Sequence, residues 1–163
     1  MPGTPHPSAT PAEALSAMDH LIAAHLIGQQ ELARRLGLTV TDLVCFTFVR
    51  RAGEDLLTAG DLAARAHVTT GAVTGILNRL ERAGYVTRRP DPRDRRRVRV
   101  AAVPEAVGRV EAMYAGHQRR LAALLTDYAP DQLAVLTDWF TRSTALAHEY
   151  LEKLNRDDPT EEC

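Results

Sequence analysis

From Leu15 the chain repeats stripe positions at steps of three and four, Leu15, Met18, Ile22, His25 or Leu26, Gln29, Leu32 and Leu36. That is the period of a helix burying one face, and Gly37 closes it. Residues 1–12, with Pro2, Pro5, Pro7 and Pro11 among small polar neighbours, read as a flexible arm. Thr39 stands three positions before Asp42, the spacing of a capping box, and Gly53 follows the apolar run, so a second helix is expected over 40–51. Thr58 and Asp61 repeat that spacing ahead of a short third helix around Leu62–Ala66 that stops near His67. Thr69 or Thr70 can cap a fourth helix running to about Ala83, where Gly84 supplies a left-handed exit.

The period then changes. Tyr85-Val86-Thr87 favours a strand, Pro90 to Asp94 is turn chemistry, and Val98-Arg99-Val100 alternates again, which predicts a two-stranded hairpin. Pro104 suits the first position of a helix carrying Val107, Val110, Tyr114, His117, Leu121, Leu124 and Tyr128. Pro130 opens another, with Leu133, Leu136, Phe140, Ser143, Ala147, Tyr150 or Leu151, and Leu154. The fold class expected is mainly α with a small β-hairpin wing: a winged helix-turn-helix lobe plus a long-helix dimerisation domain. Its parts are the arm (1–12), an N-terminal dimerisation helix (13–37), the DNA-binding lobe (38–102), C-terminal dimerisation helices (103–155) and an acidic tail (156–163). The apolar stripes of the three long helices exceed what one small lobe can cover, which points to a homodimer.

Charge sharpens this picture. The net charge is −1, yet nine arginines between Arg79 and Arg99 face only Glu81, Asp91 and Asp94. That segment carries +6 and the remainder −7, with acid gathered at Asp157, Asp158, Glu161 and Glu162. A basic stripe on a chain that is not basic overall is the footprint of a polyanion site. No apolar stretch approaches the roughly 20 residues of a membrane span, so no membrane partner is expected. The absence of Lys or Arg before Arg34 argues against a signal peptide. Two cysteines, Cys45 and Cys163, do not make a disulfide framework, and a cytoplasmic location follows as the expectation.

Third helix, turn, fourth helix and basic hairpin, in that order, make a winged helix-turn-helix, whose second helix enters the major groove of double-stranded DNA. In the fourth helix Val73, Ile76, Leu77 and Leu80 face inward. Thr70, Gly71, Thr74, Gly75 and Asn78 face outward: short hydrogen-bonding groups, and two glycines that let the backbone approach phosphates. A plainer reading is that Thr69 and Thr70 only cap and the glycines only ease helix packing. The hairpin tip places Arg93, Arg95, Arg96 and Arg97 within five residues, like charges that repel unless a polyanion neutralises them. The DNA-binding set is therefore Thr69, Thr70, Gly71, Thr74, Gly75, Asn78, Arg79, Arg93, Arg95, Arg96 and Arg97.

The run Val73-Thr74-Gly75-Ile76-Leu77-Asn78-Arg79-Leu80-Glu81-Arg82-Ala83-Gly84-Tyr85-Val86, with Asp91-Pro92-Arg93-Asp94-Arg95-Arg96 at the wing, resembles the MarR family of bacterial transcriptional regulators. The resemblance covers nearly the whole chain beyond residue 12. It implies a two-fold symmetric dimer on a palindromic operator, commonly repressing a nearby gene, with small phenolic or other anionic ligands relieving repression. It also implies that Arg96 reaches into the minor groove. Two departures stand out: Ala102-Val103-Pro104 occupies a place where the family usually carries Leu-Thr, and Asn78 stands where Asp is common. Neither removes the wing.

Family ligands sit between dimer helices and DNA-binding lobe, which by position nominates His20, His25, Cys45, Phe46, Arg50 and His117 as ligand-binding candidates. Each His lies on or near an apolar stripe, the place of a core or interface histidine with a satisfied hydrogen bond more than of a ligand contact. No His, Cys, Asp and Glu set has zinc spacing, so no metal or other cofactor is expected. Some relatives sense peroxide through a Cys near the start of the first helix, a position without one here; Cys45, within Leu43-Val44-Cys45-Phe46, reads as a buried inert thiol. No nucleophile-base pair, paired carboxylates or phosphate loop appears, and the chain is not expected to be an enzyme. The alternative to a ligand-released repressor is a ligand-independent DNA-binding dimer acting by competition or protein contact.

Overall fold

A computed structural model describes residues 8–91, 94 and 97–156, which divide between two compact units, Ser8–Ala115 and the chain from Gly116 onward. In the first, α1 (Pro11–Arg35), α2 (Val40–Ala52), the two-residue strand β1 (Leu57–Thr58), α3 (Ala59–Ala66), α4 (Thr70–Arg82), β2 (Val86–Pro90) and β3 (Val98–Ala102) lead into α5, which runs Pro104–Leu125. The strands form one antiparallel sheet in the order β1-β3-β2.

Local chemistry sets the helix starts. Thr39 and Asp42 exchange hydrogen bonds at the head of α2, as Thr58 and Asp61 do at α3, so both expected capping boxes form. A third box was not anticipated: the Thr10 backbone N–H donates to Glu13 Oε2 at 2.7 Å, and Pro11 opens α1. The helix therefore reclaims Pro11 and Ala12 from the expected arm, because a proline lacks only a donor that the first helical turn would leave unpaired. Residues 1–7 of that arm and 157–163 of the expected tail lie outside the described residues.

The hairpin pairs Val86 with Ala102 through Pro90 with Val98, and a strand not expected from the sequence, β1, adds to its other side by pairing Leu57 with Val100 and Thr58 with Arg99. Phe46, Leu43 and Val49 of α2, Leu62 of α3, and Val73, Ile76, Leu77 and Leu80 of α4 are buried together with Val86 and Val100 of the sheet. Ala33 near the end of α1 and Ala106 and Val110 of α5 seal this core. Tyr85 joins its parts: its ring meets Phe46 edge-on at 5.3 Å, its hydroxyl donates to the Leu36 carbonyl at 2.9 Å, and the Arg109 guanidinium lies 5.3 Å over its ring.

In the second unit the end of α5 is followed by α6 (Pro130–Arg156), whose head is closed by the Ala129 N–H donating to Gln132 Oε1 at 2.8 Å. None of the residues of α6 whose exposure is described is buried. Trp139 and Phe140 pack edge to face, centroids 5.3 Å apart, yet both remain exposed along with Val135, Leu146, Tyr150, Leu151 and Leu154.

Candidate nucleic-acid interface

The α3–α4 turn is set by His67, which takes the left-handed conformation at φ +50° and ends α3. Such a conformation costs a non-glycine residue about 1–2 kcal/mol. Two residues on, the Thr69 hydroxyl accepts from the Ala72 N–H at 3.2 Å, which decides between the two expected caps. Thr70 is thereby the first helical residue and stands exposed, with Gly71, Thr74 and Asn78 also on the solvent side of α4. The Thr74 hydroxyl donates to the Thr70 carbonyl at 3.1 Å, so toward any external ligand it acts as an acceptor.

The glycines answer the packing reading directly. A Cβ at Gly71 would meet nothing within 4 Å, and one at Gly75 would meet only the Arg79 Nη1 at 3.7 Å, ordinary contact. Against the described residues they ease no helix packing, although a glycine costs about 1 kcal/mol relative to alanine in a helix interior, where Gly75 lies.

Arg79 is a different case from its neighbours. Its Nε and Nη2 both donate to Asp42, the latter at 2.7 Å, and Asp42 is 1% exposed. This pair fastens α4 to the head of α2, where the same carboxylate caps Thr39. Burial pushes the Asp42 carboxyl upward, but Arg79 and the Thr39 bonds outweigh it and hold it below the ordinary carboxylate range. Two of the guanidinium's three nitrogens are thus engaged inward.

The wing is joined to α4 by Arg88. From β2 its backbone N–H and Nη1 donate to Glu81, and its Nη2 donates to Asn78 Oδ1 at 2.8 Å. On the other side of the hairpin Arg99 donates through Nε to the buried Asp91 at 2.7 Å and through Nη1 to the Leu56 carbonyl. At the tip, the Arg97 N–H donates to the Asp94 carbonyl and the Asp91 N–H to the Arg97 carbonyl, at 2.9 and 2.8 Å, which closes the turn and leaves the Arg97 side chain exposed. Arg93, Arg95 and Arg96 lie outside the described residues.

A family model described as MarR family matches residues 36–97, the span from the end of α1 to the wing tip. Over 127 residues, covering 78% of this chain and 81% of the relative, the chain is 32% identical to the HTH-type transcriptional regulator YcgE of Bacillus subtilis. The chain belongs to the MarR family. It is also 26% identical to the HTH-type transcriptional repressor YetL of Bacillus subtilis, over 77% of this chain and 73% of that one. Its fold matches the S. aureus MepR–DNA complex structure with a TM-score of 0.58 and 18% identity, covering 81% of this chain and 98% of the other. The two Bacillus subtilis relatives are named as regulators of transcription, not as enzymes.

For a MarR-family chain, the effector candidates fall in unequal places. Cys45 and Phe46 are fully buried in the core, and burial pushes the Cys45 thiol up to about 11, an inert thiol. Arg50 of α2 is bound to Glu111 of α5 at 2.9 Å. His20, His25 and His117 are exposed, and the His25 ring nitrogen Nε2 lies 3.2 Å from Gln29, whose Oε1 accepts from the Tyr114 hydroxyl. Sequence reasoning missed Asp42 as the partner of Arg79, and Glu81 and Arg88 as the joint between helix and wing. Asp42 had a local signal only as a cap, since its partner lies 37 residues on. Glu81 and Arg88 had one: opposite charges straddling the Gly84 turn.

Proposed function

We propose that this chain is a sequence-specific double-stranded DNA-binding transcriptional repressor, acting as a homodimer on a palindromic operator and released by a small anionic or aromatic ligand. The observation that carries the DNA reading is the outer face of α4. It offers exposed Thr70, Thr74 and Asn78 beside two glycines that packing among the described residues does not require, and it adjoins a basic wing. A helix bared of side chains at two points lets its backbone approach a phosphate or groove wall closely. Thr69 serves this face as its cap, Arg79 as the tie that orients it, and Arg97 as a wing cation. Arg93, Arg95 and Arg96 extend that positive charge, with Arg96 the candidate for the minor groove. Dimerisation is supported by the exposed apolar stripe of α6, and repression by the relative named as a repressor.

The test is a fluorescence-anisotropy titration against the DNA flanking the chain's own gene, at two salt concentrations, with unrelated DNA as control. Specific, salt-sensitive binding is expected, and Gly71→Ala should weaken it while raising the melting temperature. Binding that Gly71→Ala leaves unchanged would remove α4 from the interface.

A second reading, a DNA-binding dimer with no small-molecule response, is favoured by one observation. Cys45, Phe46 and Arg50, half of the effector candidates, are already occupied by core packing or by Glu111. Salicylate added to the same titration separates the two readings.

A further inference from the structure

We propose that Asn78 meets DNA through its amide NH₂ group, with the amide orientation set by Arg88 of the wing. The inference rests on the reading of α4 as the helix that enters the groove, and it names a chemistry for one position on it. A free asparagine amide can turn either end outward, and by itself would present a donor or an acceptor equally well. Here the choice is made by the partner. A guanidinium has only N–H donors, so the atom of Asn78 facing the Arg88 Nη2 at 2.8 Å must be Oδ1. The guanidinium is itself tethered, because Glu81 accepts from both its Nη1 and the backbone N–H of the same residue. Glu81 and Asn78 lie three residues apart, on one face of α4, so a single strand residue braces both.

With one Oδ1 lone pair held by Arg88 the amide is kept from turning over, and its NH₂ group is the end that donates. The partner is an acceptor: a purine N7, guanine O6, thymine O4, or a phosphate oxygen. Arg88 acts as a positioning residue, and the wing influences base preference without touching the base concerned.

The experiment measures operator affinity by anisotropy for the full chain and for Asn78→Asp, Asn78→Ala, Arg88→Ala and the double alanine variant. Asn78→Asp keeps the bond to Arg88 and should stay folded, which its melting curve checks. It replaces the outward donor by an acceptor and should weaken binding by about tenfold or more. Arg88→Ala should weaken binding clearly in the wild-type background and by at least about threefold less when residue 78 is already alanine. A panel of operators with each base pair exchanged locates the acceptor. Loss of preference at one base pair, shared by Asn78→Ala and Arg88→Ala, supports a base-edge acceptor, and uniform weakening supports a phosphate. Unchanged binding by Asn78→Asp, or strictly additive effects of the two alanines, would overturn the proposal. If the wild-type chain itself showed no preference for the operator, the groove-entry reading beneath it would fail instead.

Discussion

Helices α4 and α6 carry the same kind of sequence signal and meet opposite fates. In α4 the apolar positions Val73, Ile76, Leu77 and Leu80 are all buried, while the polar face looks outward. In α6 the repeat is equally regular, yet Phe140 is 52% exposed and Tyr150 62%. Periodicity tells which face of a helix wants covering and says nothing of whose surface covers it. In α4 the chain supplies the cover itself, and in α6 it leaves the stripe exposed, the face that the proposed dimer would bury.

The sharpest way to break this contrast is one substitution on each side of it. Phe46→Ala, in the core beneath α4, should cost about 3–5 kcal/mol, enough to unfold a marginal domain, as urea denaturation would show. Phe140→Asp should leave the fold of a protomer intact and act on assembly. Denying a dimer one buried phenyl ring per chain removes about 1.5–3 kcal/mol each, which weakens association by roughly 10- to 150-fold per ring. Sedimentation should find monomers with unchanged helical circular dichroism. If Phe140→Asp instead lowers the melting temperature of a molecule that was already monomeric, the face of α6 is covered from within.

How much could be read in advance divides along the same line. The α4 face, both hairpin strands and the caps at Thr39 and Thr58 depend on residues within a few positions of one another, and the sequence displays them. What escaped depends on distant pairing. Strand β1 is two residues long and exists through Val100 and Arg99, some forty residues away. The start of α1 was misplaced because Pro11 resembles the prolines before it, although Thr10 and Glu13 already formed a box. For the candidate site, the outward positions of α4 followed from the helical period. The inward role of Arg79 did not, since a basic residue in a basic stretch gives no sign that a buried Asp42 awaits it.

That ion pair gives the next effect in size. The depressed Asp42 carboxyl contributes stability that is fully present above the ordinary carboxylate range, near pH 4, and is lost as the pH falls through its lower folded-state value. Asp61, held down by its bonds to Thr58, adds to the same acid limb. Asn in place of Asp42 keeps the shape and removes the charge. Because the Arg79 side chain is 47% exposed and water takes up part of the loss, Asp42→Asn should cost only about 1–2 kcal/mol at neutral pH. The variant's stability should also change less between about pH 4 and 2 than that of the wild type. An identical acid limb in both would mean that Asp42 is not what α4 leans on.

The smallest effect tests how α5 is tied to the lobe at Tyr85. Arg109 lies over the Tyr85 ring from an exposed position, where such a contact contributes about 0.5–1 kcal/mol. Arg109→Gln should therefore lower stability by no more than that. Tyr85→Phe removes the hydroxyl donated to the Leu36 carbonyl and should cost about 1 kcal/mol while keeping the ring under Arg109. The two losses should add, because one acts on the ring face and the other on the hydroxyl. A markedly smaller double-variant loss would show that the Arg109 contact and the Leu36 bond hold the ring as one unit. In that case a shift of α5 would be felt at the end of α1, and through Val86 at the first residue of the wing.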